Sequence, residues 1–403
     1  MSTKADQSPP LREGYTTGSS MTAAAKAAAV SILTGSTPSE MDIPLPVEGR
    51  LIIPIKKYAV IEDSPSGITT VQVTVVKDGG DDPDATHGSD MCATVRLTKL
   101  PAGSESTITL TAGTGIGMVT MPGLSVKPGN PAINPAPRRQ ILAAIQEVLD
   151  AQPLPYTVQV HLEVPDGANI AKNTMNARLG IIGGISILGT QGIVKPYSND
   201  SYRASISQAL DVAKALHNSC AVFTTGRRSE RLYEELFTED NDVRQGSFTV
   251  QCADFFEYAI QEGTKRGFKT LGWSLFFGKL VKHAMGFSYT HAKGRPIDFT
   301  LLSNWAKDSG VPDDICTEIE GANTARQVLT MVDTLPCYLP FVQTLIEKAI
   351  KNAKSFTRIS PETTSPKLFY AVFDFDGRLI NTDILNHVAS LSKDWSSRSG
   401  DKE

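Results

Sequence analysis

Three kinds of residue cluster in this chain could do chemistry, and the first is acidic. Val76 to Gly88 reads VKDGGDDPDATHG, which places four carboxylates, Asp78, Asp81, Asp82 and Asp84, within seven residues. Crowded carboxylates raise one another's pKa, so Asp81 or Asp82 could exchange a proton with a substrate. The spacing is not that of an EF-hand, and no distal bidentate Glu completes a calcium loop. The same acids could instead bond their own backbone and a neighbouring Lys or Arg in Asx turns. The expectation is a structured functional loop with no metal. His291, after Tyr289 and Thr290, is a third candidate for proton transfer, although structural work is the default for a lone histidine.

The second kind is glycine-rich. Asn173 to Ser198, NTMNARLGIIGGISILGTQGIVKPYS, carries five glycines among short apolar runs, with hydroxyls at Thr174, Ser186, Thr190 and Ser198. An interior Gly costs about 1 kcal/mol relative to Ala in a helix, so this stretch is not an ordinary helix. Gly lets backbone turn sharply or approach a ligand closely. A helix is expected from Asn199 to His217, and a glycine-rich turn feeding a helix presents N–H groups to an anion or nucleotide. Tight strand packing at a domain joint would explain the same pattern equally well. A second cluster, Gly113-Thr114-Gly115-Ile116-Gly117, lacks the third glycine at the right spacing, the following helix and the acidic residue of a dinucleotide fingerprint.

The third kind is cationic. Asn134-Pro135-Ala136-Pro137-Arg138-Arg139 opens a helix expected to run to about Ala151. Proline is pre-organised at a helix mouth, whereas two arginines in the first turn oppose the helix dipole. They make sense with an anionic partner. Further on, Arg227, Arg228, Lys279 and Lys282 stand beside turns.

These groups need elements to hold them. Tyr15-Thr16-Thr17-Gly18-Ser19-Ser20 leads into an Ala-rich helix from about Met21 to Leu33. Thr17, Ser19 or Ser20 is its expected cap, and its first turn is a potential anion site. Asp42–Val47, Leu51–Ile61, Gly67–Val76, Asp90–Lys99, Ser106–Ala112 and Tyr156–Val164 alternate as strands do. From Ala221 the rhythm becomes strand–turn–helix, which predicts a parallel, doubly wound sheet with ligands beyond the carboxyl ends of its strands. Thr225, Gly226, Arg227, Gly278 and Lys279 fall at those ends. The expected fold is therefore α+β and α/β. It comprises an N-terminal α+β domain over 1–185, a Rossmann-like α/β domain over 186–300, and a mostly helical C-terminal region over 301–403 ending in a β-hairpin and a mobile tail. Phe373-Asp374-Phe375-Asp376-Gly377 resembles a phosphatase nucleophile motif, but only 26 residues follow Gly377, too few for the rest of such a site. An Asp-Gly turn is the expectation there.

Composition narrows the class. The chain has 403 residues, 40% hydrophobic and 20% charged, which is globular rather than disordered. A net charge of −4 gives no general pull toward nucleic acid or an acidic membrane. Five scattered cysteines without a CxxC pair argue for a reducing compartment and against a structural zinc. No apolar run approaches the ~20 residues of a membrane span, and the polar start has no secretory h-region. The expected location is the cytoplasm.

Taken in order, the segments resemble the cobalt-precorrin-5B C1-methyltransferase family of anaerobic cobalamin biosynthesis. The resemblance rests on GYTTGS with its Ala-rich helix, KDGGDDPDATHG, GTGIG with VTMPGL, AINPAPRRQI, NTMNARLGIIGGISILGTQGIVKPYS, FTTGRRSE, GKLVKHAMG, TH and ANTA, spanning roughly Leu11 to Arg326. Ser20 stands where the family usually has Cys, and the C-terminal region is only loosely similar. The resemblance implies transfer of a methyl group from S-adenosylmethionine to ring carbon C1 of a cobalt tetrapyrrole. Cobalt is then part of the substrate, and no protein-bound metal is implied. Together with the glycine chemistry, it implies a donor site at Gly183, Gly184, Ser186, Gly189, Thr190, Thr225 and Gly226. Substrate contacts are expected from Thr16, Thr17, Gly18, Asn134, Arg138, Arg227, Lys279 and Lys282, because the tetrapyrrole brings several carboxylates. Asp81, Asp82 and His291 are the candidate catalytic groups. Expected partners are the small-molecule tetrapyrrole and other corrin-pathway enzymes, without nucleic acid or membrane. The alternative is a tetrapyrrole-binding pathway protein that has lost catalysis, for which Ser20 is the only sequence support.

Overall fold

A computed structural model describes residues 10–64, 67–236, 247–292, 294–357 and 365–381. It is a mixed α/β structure in two compact units, Met1–Asn199 and Asp200–Glu403. The parting therefore falls after Asn199, so that 186–199 group with the first unit and 301–381 with the second.

In the first unit, five strands form one sheet in the order 57–64, 67–76, 90–99, 156–163, 107–112. All neighbours are antiparallel except the last pair. Val71, Val73, Val75, Met91, Ala93, Val95, Val158, Val160 and Leu162 alternate along the strands and are buried in a single core, as a strand's period of two requires when one face is covered. That cover is the helix Thr17–Thr34, which packs on the strands and on the helix Pro135–Asp150. Met21 and six alanines between Ala23 and Ala29 have no exposed surface. A helix apolar on every side is a buried helix, and alanine keeps its backbone close to its neighbours.

Two local expectations change. The cap is Thr16, whose hydroxyl accepts from Ser19 N at 3.2 Å, not Thr17, Ser19 or Ser20. The segment 51–61 breaks into the strands Arg50–Pro54 and Lys57–Ser64, where Pro54 has no N–H to continue a ladder.

In the second unit, four parallel strands lie in the order Ser247–Gln251, Cys220–Thr224, Thr270–Phe276, Lys367–Phe373. The chain starts in an inner strand, goes outward one way and then returns past it, so the direction of winding reverses at Cys220–Thr224. Helices Arg227–Glu235, Phe256–Lys265 and Phe277–Ala284 follow the first three strands. Four more helices span Phe299 to Phe356, and the last of them packs on Phe277–Ala284.

The segment expected to be a final hairpin pairs instead, residue for residue, with Thr270–Phe276 in parallel register. Among the described residues, its turn back adds the bridge between Phe373 and Leu379 and a bond from Ile380 N to Val372 O at 2.8 Å. Phe369 to Phe373 are all buried, and burying that apolar run on a neighbouring strand outweighs a two-strand hairpin, which is marginal alone. The Asp-Gly turn itself is present. One oxygen of Asp374 accepts from the N–H groups of Asp376, Gly377 and Arg378 at 2.7–2.9 Å. The tail expected to be mobile lies outside the described residues.

Candidate active site

In the first unit, the glycine-rich stretch pairs with the second glycine cluster and its continuation and with the residues that lead into the Ala-rich helix. Gly184–Ile185 pairs with Gly115–Ile116, Ile181–Ile182 with Met118–Val119, and Ile193–Val194 with Gly14–Tyr15. A Cβ at Gly184 would overlap the carbonyl of Gly115, and one at Gly189 would overlap the Thr16 side chain. Backbone packing accounts for both glycines. Gly183 differs: φ is 86° and a Cβ would meet nothing within 4 Å.

The hydroxyls here serve that packing. Thr17 Oγ1 accepts from Leu188 N at 2.9 Å, Gly18 N donates to Leu188 O at 3.0 Å, and Ser186 Oγ bonds Asn176 Oδ1 at 3.3 Å. Ser20 is fully buried and donates to Thr16 O at 3.0 Å. Asn134 caps the second helix through no side-chain bond, its N–H donating to Ile187 O at 2.9 Å. Arg138 and Arg139 are exposed in that helix's first turn and have no side-chain partner among the described residues. Thr190 is also exposed.

The acidic loop folds on itself. Lys77, only 1% exposed, pairs with Asp84 at 2.8 Å. Burial alone would push Asp84 up, but Lys77 and two bonds from Thr86 hold its carboxyl below the usual range. Arg12 grips Asp78 in two hydrogen bonds, the main reason Asp78 falls to about 2. Asp81 accepts from Arg12 N at 2.6 Å and Asp82 from Tyr197 N at 2.8 Å. Among the described residues, no group of three His, Cys, Asp or Glu side chains is disposed to hold a metal ion.

In the second unit, the carboxyl ends of the strands gather a different set. Cys220–Thr224 runs into Thr225-Gly226 and then the helix Arg227–Glu235. Thr225 N donates to Ser229 Oγ at 3.1 Å, which in turn donates to Gly226 O at 3.0 Å. Gly226 has φ 162°, an extended value any residue adopts, and a Cβ there would meet nothing within 4 Å. Neither its backbone nor its neighbours require glycine. Two residues earlier, Thr224 Oγ1 is buried, and neither it nor the exposed Arg227 side chain has a partner among the described residues. Arg228 is occupied, donating to Phe375 O at 2.8 Å.

The end of the neighbouring strand is tied in by Cys252 N, which donates to Thr224 O at 2.8 Å. Ala253 has φ 46°, a strained value for a residue with a Cβ. Asp254 pairs with Lys279 and accepts from Thr290 Oγ1 at 2.9 Å. Lys282 donates to the carbonyls of Thr290 at 2.8 Å and His291 at 3.3 Å. Burial, with the nearby Lys279, pushes the Lys282 amine below its ordinary pKa. The structure thus brings Lys279, Lys282 and His291 together through Thr290. Asp254 was missed by reading motifs, although the strand rhythm places 252–255 at the same sheet edge as Gly226. Burial pushes the Cys252 thiol up to about 12, so it is no nucleophile.

The described helices include none long and apolar enough to cross a membrane. Residues 4–196 match the family model described as CbiD, and residues 289–383 match the one described as CbiD, C-terminal domain. A cobalt-precorrin-5B C(1)-methyltransferase of Nitratidesulfovibrio vulgaris is 45% identical over 80% of this chain and 81% of its own length. Proteins of the same name are 43% identical in a Geobacillus species, over 80% of this chain and 84% of that protein, and 39% identical in a Polaromonas species, over 92% of this chain and 96% of that protein. A crystal structure of a cobalamin biosynthesis protein (cbiD) from Archaeoglobus fulgidus is similar at 24% identity and a TM-score of 0.36, covering 68% of this chain and 79% of that one.

Proposed function

The chain belongs to the CbiD family, and on that premise we propose that it transfers a methyl group from S-adenosylmethionine to C1 of cobalt-precorrin-5B. Support for the reaction comes from relatives so named that align over most of their length with this chain. Support for the place comes chiefly from Gly226, a glycine its own fold does not demand, where the winding of a parallel sheet reverses. We read that sheet as Rossmann-like, and ligands of such sheets sit outside the carboxyl ends at the reversal.

The residues there fit the donor. Open space at Gly226 admits a ligand against the backbone, and the hydroxyl of Thr224, two residues earlier, has no partner among the described residues. Thr225 and Gly226 would hold the donor, which when bound supplies an electrophilic methyl on a sulfonium. The acceptor is an electron-rich ring carbon, so the chain needs no nucleophile of its own. Its work is to hold two molecules in line, which can supply much of a rate enhancement.

Arg227 and Lys282 would meet substrate carboxylates. Lys279, neutralised by Asp254, instead holds the loop that carries Thr290 and His291. Of the candidate catalytic groups, His291 is exposed at this edge and would accept a proton released after transfer. Asp81 and Asp82, each bonded to a backbone N–H, would shape their loop. In the first unit, Arg138 and Asn134 at the helix mouth, with the exposed Gly183 and Thr190, are the positions proposed for anionic or polar ligand groups. The unpaired cysteines, four of them buried, accord with a cytoplasmic location.

The test is an anaerobic incubation with cobalt-precorrin-5B and methyl-deuterated S-adenosylmethionine. One labelled methyl by mass spectrometry, placed at C1 by NMR, is the expected result. Unchanged substrate beside an active relative from Nitratidesulfovibrio vulgaris overturns it.

A further inference from the structure

At the carboxyl edge of the second unit's sheet, four rings form a continuous ladder. Tyr202 stacks on Phe255 with centroids 5.4 Å apart and planes 21° apart. Phe255 meets Tyr289 at 5.0 Å and 56°, and Tyr289 stacks on His291 at 5.9 Å and 11°. The rings come from the first turns of the helix Asn199–Ala215, the turn after Ser247–Gln251, and the segment 288–291. Backbone bonds lock the last two together: Thr290 N donates to Asp254 O at 3.0 Å and Glu257 N to Ser288 O at 3.1 Å.

The ladder is half in the protein and half out. Phe255 is 5% exposed, whereas Tyr202 and Tyr289 are 36% and 39% exposed. Tyr202 and Tyr289 thus keep part of their aromatic surface in water beside a buried ring, and apolar surface of that kind marks recognition sites. Cations flank it. The Arg203 guanidinium lies 5.5 Å from the Phe255 centroid and 5.6 Å from that of Tyr258, and the Lys282 amine bonds the carbonyl of His291 at the other end.

We propose that the ladder Tyr202–Phe255–Tyr289–His291 seats the face of the tetrapyrrole, with Arg203 and Lys282 meeting carboxylates on its rim. The proposal deepens the methyltransferase reading and rests on it. A tetrapyrrole presents broad apolar faces surrounded by acidic side chains, and this surface offers the complement of both. A purine would find a stacking partner here but would leave the flanking cations unmatched.

The experiment titrates the full chain anaerobically with cobalt-precorrin-5B alone, following the absorbance of the cobalt tetrapyrrole, for wild type, Tyr289→Ala, Tyr289→Phe and Tyr202→Ala. Losing one stacking partner worth about 1.4 kcal/mol is about a tenfold rise in Kd. That rise is expected for both alanine variants, with Tyr289→Phe close to wild type. The KM for S-adenosylmethionine should stay put. Unchanged Kd in both alanine variants, with circular dichroism like wild type, overturns the proposal. So does a raised KM for the donor with unchanged tetrapyrrole Kd, which would hand the ladder to the adenine. If wild type binds the ring and Tyr289→Ala weakens it, yet no methyl is transferred, the ladder stands and the methyltransferase reading falls. If methyl transfer proceeds while Kd ignores the ladder, the reverse holds.

Discussion

Gly189 lies against Thr16 so closely that a Cβ on the glycine would overlap the hydroxyl oxygen, Cβ and Cγ2 of the threonine. Thr16 is also the cap of the buried Ala-rich helix. The glycine-rich stretch and the core of the first unit are therefore one construction, and substitution at Gly189 should unseat the helix.

Gly189→Ala is expected to destabilise the first unit by about 3 kcal/mol, since it combines overpacking with a positive φ. Gly183→Ala faces only the dihedral penalty, because φ is 86° and nothing lies within 4 Å, and should cost about 1 kcal/mol. Urea midpoints of the two variants check the order.

Gly226→Ala gives the opposite signature. With an extended φ and open space, it should change stability by less than about 0.5 kcal/mol. If the donor lies against this backbone, the KM for S-adenosylmethionine rises while the urea midpoint does not move. An unchanged KM moves the donor elsewhere.

Acid should loosen the first unit over a defined range. Arg12 holds Asp78 at about 2, and Arg50, helped by Lys26, holds Glu147 at about 2. Folded values below the unfolded ones, near 4, mean that their stabilisation is complete above about pH 4 and is lost as pH falls toward 2. Asp84→Asn would leave the Lys77 ammonium buried without its carboxylate and should cost about 3 kcal/mol at pH 7. Denaturant melts at pH 7, 4 and 2.5 read both effects.

His283 should make the second unit sensitive at a higher pH. It is fully buried, stacked 3.6 Å from Phe256, and its Nδ1 lies 3.3 Å from the Tyr370 hydroxyl. Burial, with Lys279 nearby, drives its pKa well below the ordinary value. Once pH drops below the unfolded value of about 6.5, the unfolded chain binds a proton the folded one refuses, and stability falls by up to about 1.4 kcal/mol per pH unit. His283→Phe should flatten that slope between pH 7 and 5.5 in urea melts.

Alternation in 67–76, 90–99 and 156–163, the Ala-rich helix and the strand–turn–helix rhythm after Ala221 are patterns among near neighbours in the chain, and the sequence by itself determined them. The motif order, read the same way, was enough to indicate the family. What only the tertiary structure decided depends on atoms distant in sequence. Gly184 is filled by Gly115 and Gly189 by Thr16, whereas Gly226 is left open; in the one-letter string they are alike. Lys279 reads as a free cation until Asp254, 25 residues earlier, is seen to neutralise it. Lys367–Phe373 reads as half a hairpin until the strand ending at Phe276 is placed beside it. Spacing records which backbone shapes are permitted, but close approach, charge pairing and strand partnership are set by what the fold brings alongside, and that is non-local.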